Sequence, residues 1–366
     1  MKKVILVCGA RPNFMKVSPI IKAMVRSGRL QPYLVHTGQH YDEKMSKSFF
    51  DLLHIPKPDV DLGVGSGSHA EQTGKVMIEF EKVCQREKPD LVVVVGDVNS
   101  TMACTIAAKK LWIPVAHVEA GLRSWDMKMP EEVNRVVTDS LCDLFFTTDP
   151  DANGNLARMG APADRVHFAG NVMIDTLLDN VEHSKGNPIL ETMGVKPGEY
   201  CFLTMHRPSN VDHKDVLDGL LGAFDHIQRR IPIVFPAHPR AVKMIREFGF
   251  GPRFEAMKGI KVCEPLDYHQ MLKLNRNSRF ALTDSGGLQE ETTVLGIPCI
   301  TMRNNTERPV TVTVGTSEVV GNDPAKIIDA AERILAGKWK KGGIPEGWDG
   351  KAGERIVAAL EKHLGA

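Results

Sequence analysis

No run of apolar residues in this chain approaches the roughly 20 that a bilayer-crossing helix needs, so no membrane span is expected. An excess of charge of either sign is missing as well. The 366 residues carry 46 basic and 45 acidic side chains, a formal charge of +1. That balance gives no basic nucleic-acid track and no membrane-facing patch, so any anion has to be bound locally. Paired cysteines are absent: Cys8, Cys84, Cys104, Cys142, Cys201, Cys263 and Cys299 stand singly, mostly in apolar runs. An odd, dispersed set argues against a disulfide framework or structural zinc and fits a reducing compartment. The apolar run at 4–9 has only about half the length of a signal-peptide core and no cleavage pattern follows it, so a cytoplasmic location is expected. The dinucleotide fingerprint is lacking too. Gly9-Ala10-Arg11-Pro12-Asn13-Phe14 offers one glycine where Gly-x-Gly-x-x-Gly needs three, which disfavours a nicotinamide cofactor.

What is present is alternation. Short apolar runs at 3–8, 31–37, 91–95, 115–118, 144–148 and 166–168 predict strands, with helices over 14–27, 70–88, 100–110 and 131–141 between them. A weakly patterned stretch, 180–198, marks a domain crossing. Beyond it the alternation resumes, with strands at 200–204, 233–236, 259–262, 280–283 and 299–302, and helices over 214–230, 241–248, 269–275, 287–295 and 324–335. A Gly- and Pro-containing loop at 337–351 precedes a last helix over 353–363. The fold class is therefore α/β, two doubly wound parallel-sheet domains, 1–175 and 176–352, with ligands expected at strand carboxyl ends in the crevice between them.

Chemistry-bearing residues cluster after the predicted strands. Arg11 and Lys16 flank a helix start, suited to a diphosphate or to plain solvation. Asp97, after the run 91–95, reads locally as the cap of the next helix. Glu119 follows an apolar run, where a carboxylate is costly unless bonded or catalytic; a salt bridge to Arg123 is the simple alternative. Glu131 and Glu132 behind Pro130 read locally as a charged first turn. His206-Arg207 and His238-Pro239-Arg240 end two successive strands, pairing a proton-exchanging ring with an anion-holding guanidinium. Ser285, Gly286 and Gly287 open a helix whose free N–H groups can cradle phosphate, and Glu291 lies one turn in, placed to accept from a ribose. The polar loop 302–309, with Arg308, can line the same crevice. These histidines and carboxylates are not at metal-ligand spacing, so no metal is expected.

Together the segments Gly9–Lys16, Thr37-Gly38-Gln39-His40, Gly96-Asp97, His117–Arg123, Pro130–Arg135, His206-Arg207, Asp284–Glu291 and Thr306–Pro309 resemble the UDP-N-acetylglucosamine 2-epimerases of the non-hydrolysing type. The motifs keep the same order from about residue 3 to the last helix. The resemblance implies a glycosyltransferase-B fold whose last helix, 353–366, packs back on the first domain, a UDP-sugar substrate, no cofactor and a homodimer. It places the catalytic carboxylates on Asp97, Glu119 and Glu131 and the catalytic histidine on His206. The UDP-holding residues fall on Arg11, Lys16, Ser285, Gly286, Gly287 and Glu291. For Asp97 and Glu131 it is the resemblance, not the spacing, that favours catalysis.

The family's reaction expels UDP from C1 as a base takes the C2 proton, giving a 2-acetamidoglucal, then re-adds UDP after protonation on the other face. It serves cell-surface polysaccharide biosynthesis. Some relatives carry a regulatory substrate site built on Gln-x-x-Gln and an arginine. This chain reads Gln39-His40-Tyr41-Asp42 and has no arginine at 65–69, so weak or absent substrate activation is expected. The start and the 63–69 stretch also resemble branches acting on 2,3-diacetamido uronic sugars. A hydrolysing epimerase, a UDP-sugar glycosyltransferase and a non-catalytic UDP-sugar sensor are the alternatives; joint retention of Asp97, Glu119, Glu131 and His206 counts against the last.

Overall fold

The computed structural model describes residues 1–38 and 55–366. The chain divides into two compact units, one of Met1–Thr176 with Glu346–Ala366 and the other of Leu177–Pro345.

The described strands of the first unit form a parallel sheet in the order β3-β2-β1-β4-β5-β6-β7. They are β1 Lys2–Cys8, β2 Leu30–His36, β3 Val60–Asp61, β4 Leu91–Val95, β5 Val115–Val118, β6 Leu144–Thr147 and β7 Val166–Phe168. Every residue of β4 is buried, which is why Leu-Val-Val-Val-Val shows no alternation: helices cover both faces of a parallel sheet. The strand order reverses between β1 and β4, so the turns after β1, β4 and β5 gather at one edge of the unit. Helix His69–Glu87 starts at a capping box in which Ser68 and Glu71 satisfy each other's backbone N–H groups.

The last helix, Ala352–Leu364, packs on helix Arg11–Ser27. Gly353 permits this: a Cβ there would lie 2.8 Å from the Pro19 carbonyl oxygen. Asp175 accepts from the N–H groups of Ala352 and Gly353, anchoring the start of that helix. Buried Trp348, in the loop before it, donates to Thr148 O at 3.0 Å.

The second unit repeats the scheme with the described order β10-β9-β8-β11-β12-β13. Its strands are β8 Cys201–Thr204, β9 Ile233–Pro236, β10 Ile260–Cys263, β11 Phe280–Thr283, β12 Cys299–Thr301 and β13 Ser317–Val319. Phe224, Phe235 and Phe280 fill its core. Here the order reverses between β8 and β11, which places the turns after them side by side.

The first unit ends at Thr176, inside helix Val172–Ser184, and the weakly patterned stretch 180–198 contains the end of that helix and the short helix Ile189–Met193. Strands β3 and β13, of two and three residues, carry too little apolar pattern to be read from sequence.

Candidate active site

In the first unit the turn after β1 is fixed by close packing. A Cβ on Gly9 would lie 2.3 Å from Ser100 Oγ, so only glycine fits. Asn13 Oδ1 accepts from the N–H groups of Gly9 and Ala10, while its Nδ2 donates to Val95 O at 3.1 Å, tying this turn to the end of β4. Arg11 begins the helix, and its side chain lies outside the described residues. Lys16, one turn on, is buried and donates to Glu119 Oε2 at 2.6 Å. The local alternative for Glu119, a bridge to Arg123, is not what forms. Arg123 instead meets Asp139 at 2.7 Å, and Glu119 itself sits in the left-handed region at φ 69.

Asp97 does not cap the next helix. Val98 is the cap residue of helix Asn99–Lys110, and Asp97 pairs with Nη1 of Arg135. Arg135 also holds Glu132, at 2.6 Å, and Asn134 Nδ2 donates to Asp97 O at 2.9 Å. Helix Pro130–Leu141 therefore presses its first turns against the turn after β4. Glu131 and Glu132 part company there. Glu132 is buried and accepts from Ser124 N–H, Ser124 Oγ and Trp125 N–H, fastening the preceding loop, whereas Glu131 is only half-buried. A Cβ on Gly96 would lie 2.7 Å from Lys16 Nζ and 3.8 Å from Glu119 Oε2, so the turn carrying Asp97 rests on the Lys16–Glu119 pair.

In the second unit Asp284, buried at the end of β11, organises the end of β8. It accepts from the backbone N–H groups of His206 and Arg207 and from Asn210 Nδ2, and His206 Nδ1 lies 3.0 Å away. Burial would raise the Asp284 carboxyl, but His206 and those backbone donors hold it below the usual carboxylate range. His206 keeps 39% of its side chain exposed, with one ring nitrogen oriented and the rest of the ring reachable. His238 caps helix Pro239–Glu247, its Nδ1 accepting from Arg240 N–H, and its ring lies 5.6 Å from that of His206. Burial first, then the neighbouring His206, push His238 down from the usual imidazole range.

Ser285 is the N-cap residue of helix Gly286–Leu295 without a side-chain cap bond. The first N–H groups of that helix, those of Gly286 and Gly287 among them, have no intrahelical partner. Glu291 is buried next to Asn275, which donates to it at 3.3 Å. Burial pushes its carboxyl up to about 7, the adjacent Glu290 adding to the effect and Asn275 and Tyr268 opposing it. Arg308 is engaged by Glu290 at 2.5 Å and Glu307 at 2.6 Å directly beneath Gly286.

Each unit thus gathers its own share of the residues named from sequence. Lys16, Asp97, Glu119 and Glu131 stand around the β1, β4 and β5 ends, and His206, Arg207, His238, Ser285–Gly287 and Glu291 around the β8, β9 and β11 ends. Of the residues that hold them, Asp284, Arg135 and Glu132 stood inside the quoted motifs without this role, and Asp139 was not singled out. A legible signal existed for Asp284, a carboxylate ending a buried strand like Glu119; for Arg135 it was the i, i+3 spacing from Glu132. Thiol chemistry has no foothold, since burial raises Cys8, Cys104, Cys142 and Cys201 well above the usual thiol range. Among the described residues no cluster of His, Cys, Asp and Glu is arranged to hold a metal ion. His36 and His40 stand four apart, but His36 closes a strand and pairs with Asp61, and His40, with Gln39, Tyr41 and Asp42, lies outside the described residues. No described helix is long and apolar enough to cross a membrane.

Two doubly wound parallel-sheet units, one with carboxylates at its strand ends and the other with a glycine-opened helix after a strand, make a glycosyltransferase-B-type fold. Comparison with known proteins agrees. The family model described as UDP-N-acetylglucosamine 2-epimerase matches residues 22–361. A UDP-N-acetylglucosamine 2-epimerase of Methanocaldococcus jannaschii is 44% identical over 98% of both chains. A UDP-2,3-diacetamido-2,3-dideoxy-D-glucuronate 2-epimerase of Pseudomonas aeruginosa is 39% identical over 98% of this chain and 99% of its own. The crystal structure of the M. jannaschii UDP-GlcNAc 2-epimerase with UDP-GlcNAc and UDP has a TM-score of 0.90 at 43% identity, covering 99% of this chain and 100% of that one. The chain belongs to the UDP-N-acetylglucosamine 2-epimerase family.

Proposed function

We propose that this protein inverts C2 of UDP-N-acetylglucosamine to give UDP-N-acetylmannosamine, without hydrolysis, through a 2-acetamidoglucal. C2 bears an amide nitrogen and is not adjacent to a carbonyl, so simple deprotonation leaves an unstabilised carbanion. Elimination avoids it: a base removes the C2 proton as the C1–O bond breaks, and the bond electrons leave with UDP. Protonation of C2 from the opposite face and return of UDP to C1 complete the inversion.

The observation that carries this reading is the setting of Asp97 and Glu119. Two carboxylates end adjacent strands, one against Arg135 and the other against Lys16, with the Gly96 turn seated on the second pair. Differently paired carboxylates are what proton removal and return on two faces require, and Glu131 is the third candidate. In the second unit the N–H groups opening helix Gly286–Leu295 receive the departing diphosphate, Glu291 takes the ribose hydroxyls, and His206 assists the leaving group. Arg11, Arg207 and His238 add charge and hydrogen bonds to the nucleotide.

Incubation with UDP-N-acetylglucosamine followed by proton NMR tests the reading. A UDP-linked manno sugar is expected; free N-acetylmannosamine with UDP indicates the hydrolysing reaction, and an unchanged sugar refutes epimerisation of this substrate. The 39% identity to the P. aeruginosa enzyme supports a second substrate reading, a UDP-2,3-diacetamido uronic acid. Its preferential turnover in the same assay would select that branch.

A further inference from the structure

We propose that His117 is a positioning residue that sets Asp97 and Glu119 in register through a single ring that bridges the two turns carrying them. The proposal rests on the reading of those two carboxylates as acid–base groups. His117 lies in β5, wholly sealed from solvent, and so acts only through its neighbours. Its Nε2 lies 2.8 Å from the carbonyl oxygen of Gly96, and its Nδ1 lies 2.6 Å from Asp139 Oδ1. A carbonyl oxygen only accepts, so Nε2 carries a proton. Asp139 is an acceptor as well, since its Oδ2 takes Arg123 Nη2 at 2.7 Å and the Gly121 N–H at 3.0 Å. Nδ1 faces that acceptor carboxylate, so the ring is held between Asp139 and the Gly96 carbonyl. Although burial would raise it, the Asp139 carboxyl is held below its usual range by His117 and Arg123.

The geometry gives this ring a task beyond filling the core. Glu119 stands midway between His117 and Gly121, and both of these bond to Asp139. The carboxylate is thus the crown of a short arch whose two feet share one acceptor. A non-glycine residue at φ 69 is strained and persists only where its surroundings over-determine it. The arch supplies that constraint. The second ring nitrogen reaches across to Gly96, itself at φ 67, whose next residue is Asp97. One side chain thereby fixes both turns relative to each other, where a displacement of about 1 Å can cost about 100-fold in rate.

Two side chains separate the ring's functions. Asn at 117 places an amide near the Nδ1 position and keeps the Asp139 bond alone; Gln reaches toward Nε2 and keeps the Gly96 bond alone. His117→Asn and His117→Gln are each expected to lower kcat on the order of 100-fold while KM and UDP affinity stay within about 3-fold. UDP affinity, measured separately, reports that the nucleotide-binding unit is folded. Nitrogen-15 NMR of the wild-type enzyme labelled at histidine, with the His117 signals identified by their loss in His117→Asn, should show a proton on Nε2, the nitrogen that meets the Gly96 carbonyl. A bare Nε2, a wild-type kcat in either variant, or an effect on KM alone overturns the proposal. Failure of the wild-type chain to epimerise would sink the assigned reaction instead, and the NMR result would still decide whether the ring bridges the two turns.

Discussion

Lys16 Nζ and Glu119 Oε2 meet at 2.6 Å although 103 positions separate them, and their side chains are only 8% and 2% exposed. The pair joins the helix after β1 to the end of β5 at the place where the sheet order reverses. Charges so enclosed are expensive unless matched, which makes each residue answerable for the other.

Lys16→Met should therefore destabilise the protein by on the order of 3 kcal/mol, the usual consequence of removing one partner of a buried pair. Adding Glu119→Leu removes the carboxylate that Lys16 balanced and should restore part of that loss, although the double variant is inactive. Urea unfolding without ligand reads both. A single variant as stable as wild type contradicts the pairing.

Asp97→Asn keeps shape and removes charge beside Arg135. Turnover should fall by on the order of 1,000-fold, within the range for loss of an acid–base group, with UDP affinity largely kept because the groups proposed to hold diphosphate and ribose, the start of helix Gly286–Leu295 and Glu291, are untouched. Unchanged turnover takes Asp97 out of the mechanism.

The fate of Asp97 shows how much was legible. Strands such as β4 announce themselves because a parallel strand covered on both faces has to be uniformly apolar, and the reversal of strand order then dictates which turns gather. The candidate residues were visible as polar side chains placed straight after such runs. Their partners were not. Local spacing made Asp97 a helix cap and joined Glu119 to Arg123, since a sequence shows neighbours four residues away and hides those 38 or 103 away. Family resemblance named the residues without explaining them, and Arg135 and Asp284, at the ends of two quoted motifs, took their orienting role only from the packed structure.

Glu291 has a signature in pH. Its carboxyl is pushed up to about 7 in the folded protein, against 4.5 ordinarily. The fold thus binds its proton more tightly than the unfolded chain does. That stabilisation is complete below pH 4.5 and is lost as pH rises through 7. Glu291→Gln has no proton to lose, so its stability relative to wild type should improve by about 2–3 kcal/mol between pH 5 and pH 8. Its UDP affinity should drop, because one of the two carboxylate oxygens offered to the ribose becomes an amide donor. Parallel stability curves at the two pH values contradict the assignment.

Gly286 leaves no room for a side chain: a Cβ there would lie 2.8 Å from Glu307 Oε1 and 2.9 Å from Arg308 Nη1. Gly286→Ala should shift that ion pair and the helix start with it. Affinity for UDP, followed by calorimetry, should weaken by on the order of 10-fold, or about 1.4 kcal/mol. Unaltered affinity would remove this helix start from the diphosphate site.

Breaking and remaking the C2–H bond is the core of the account, and heavy water exposes it directly. With UDP-N-acetylglucosamine in deuterium oxide, the enzyme should place deuterium at C2 of the UDP-linked manno product, and at C2 of the recovered gluco sugar as equilibrium is approached. Epimerised product that retains protium at C2 would contradict proton removal by these carboxylates.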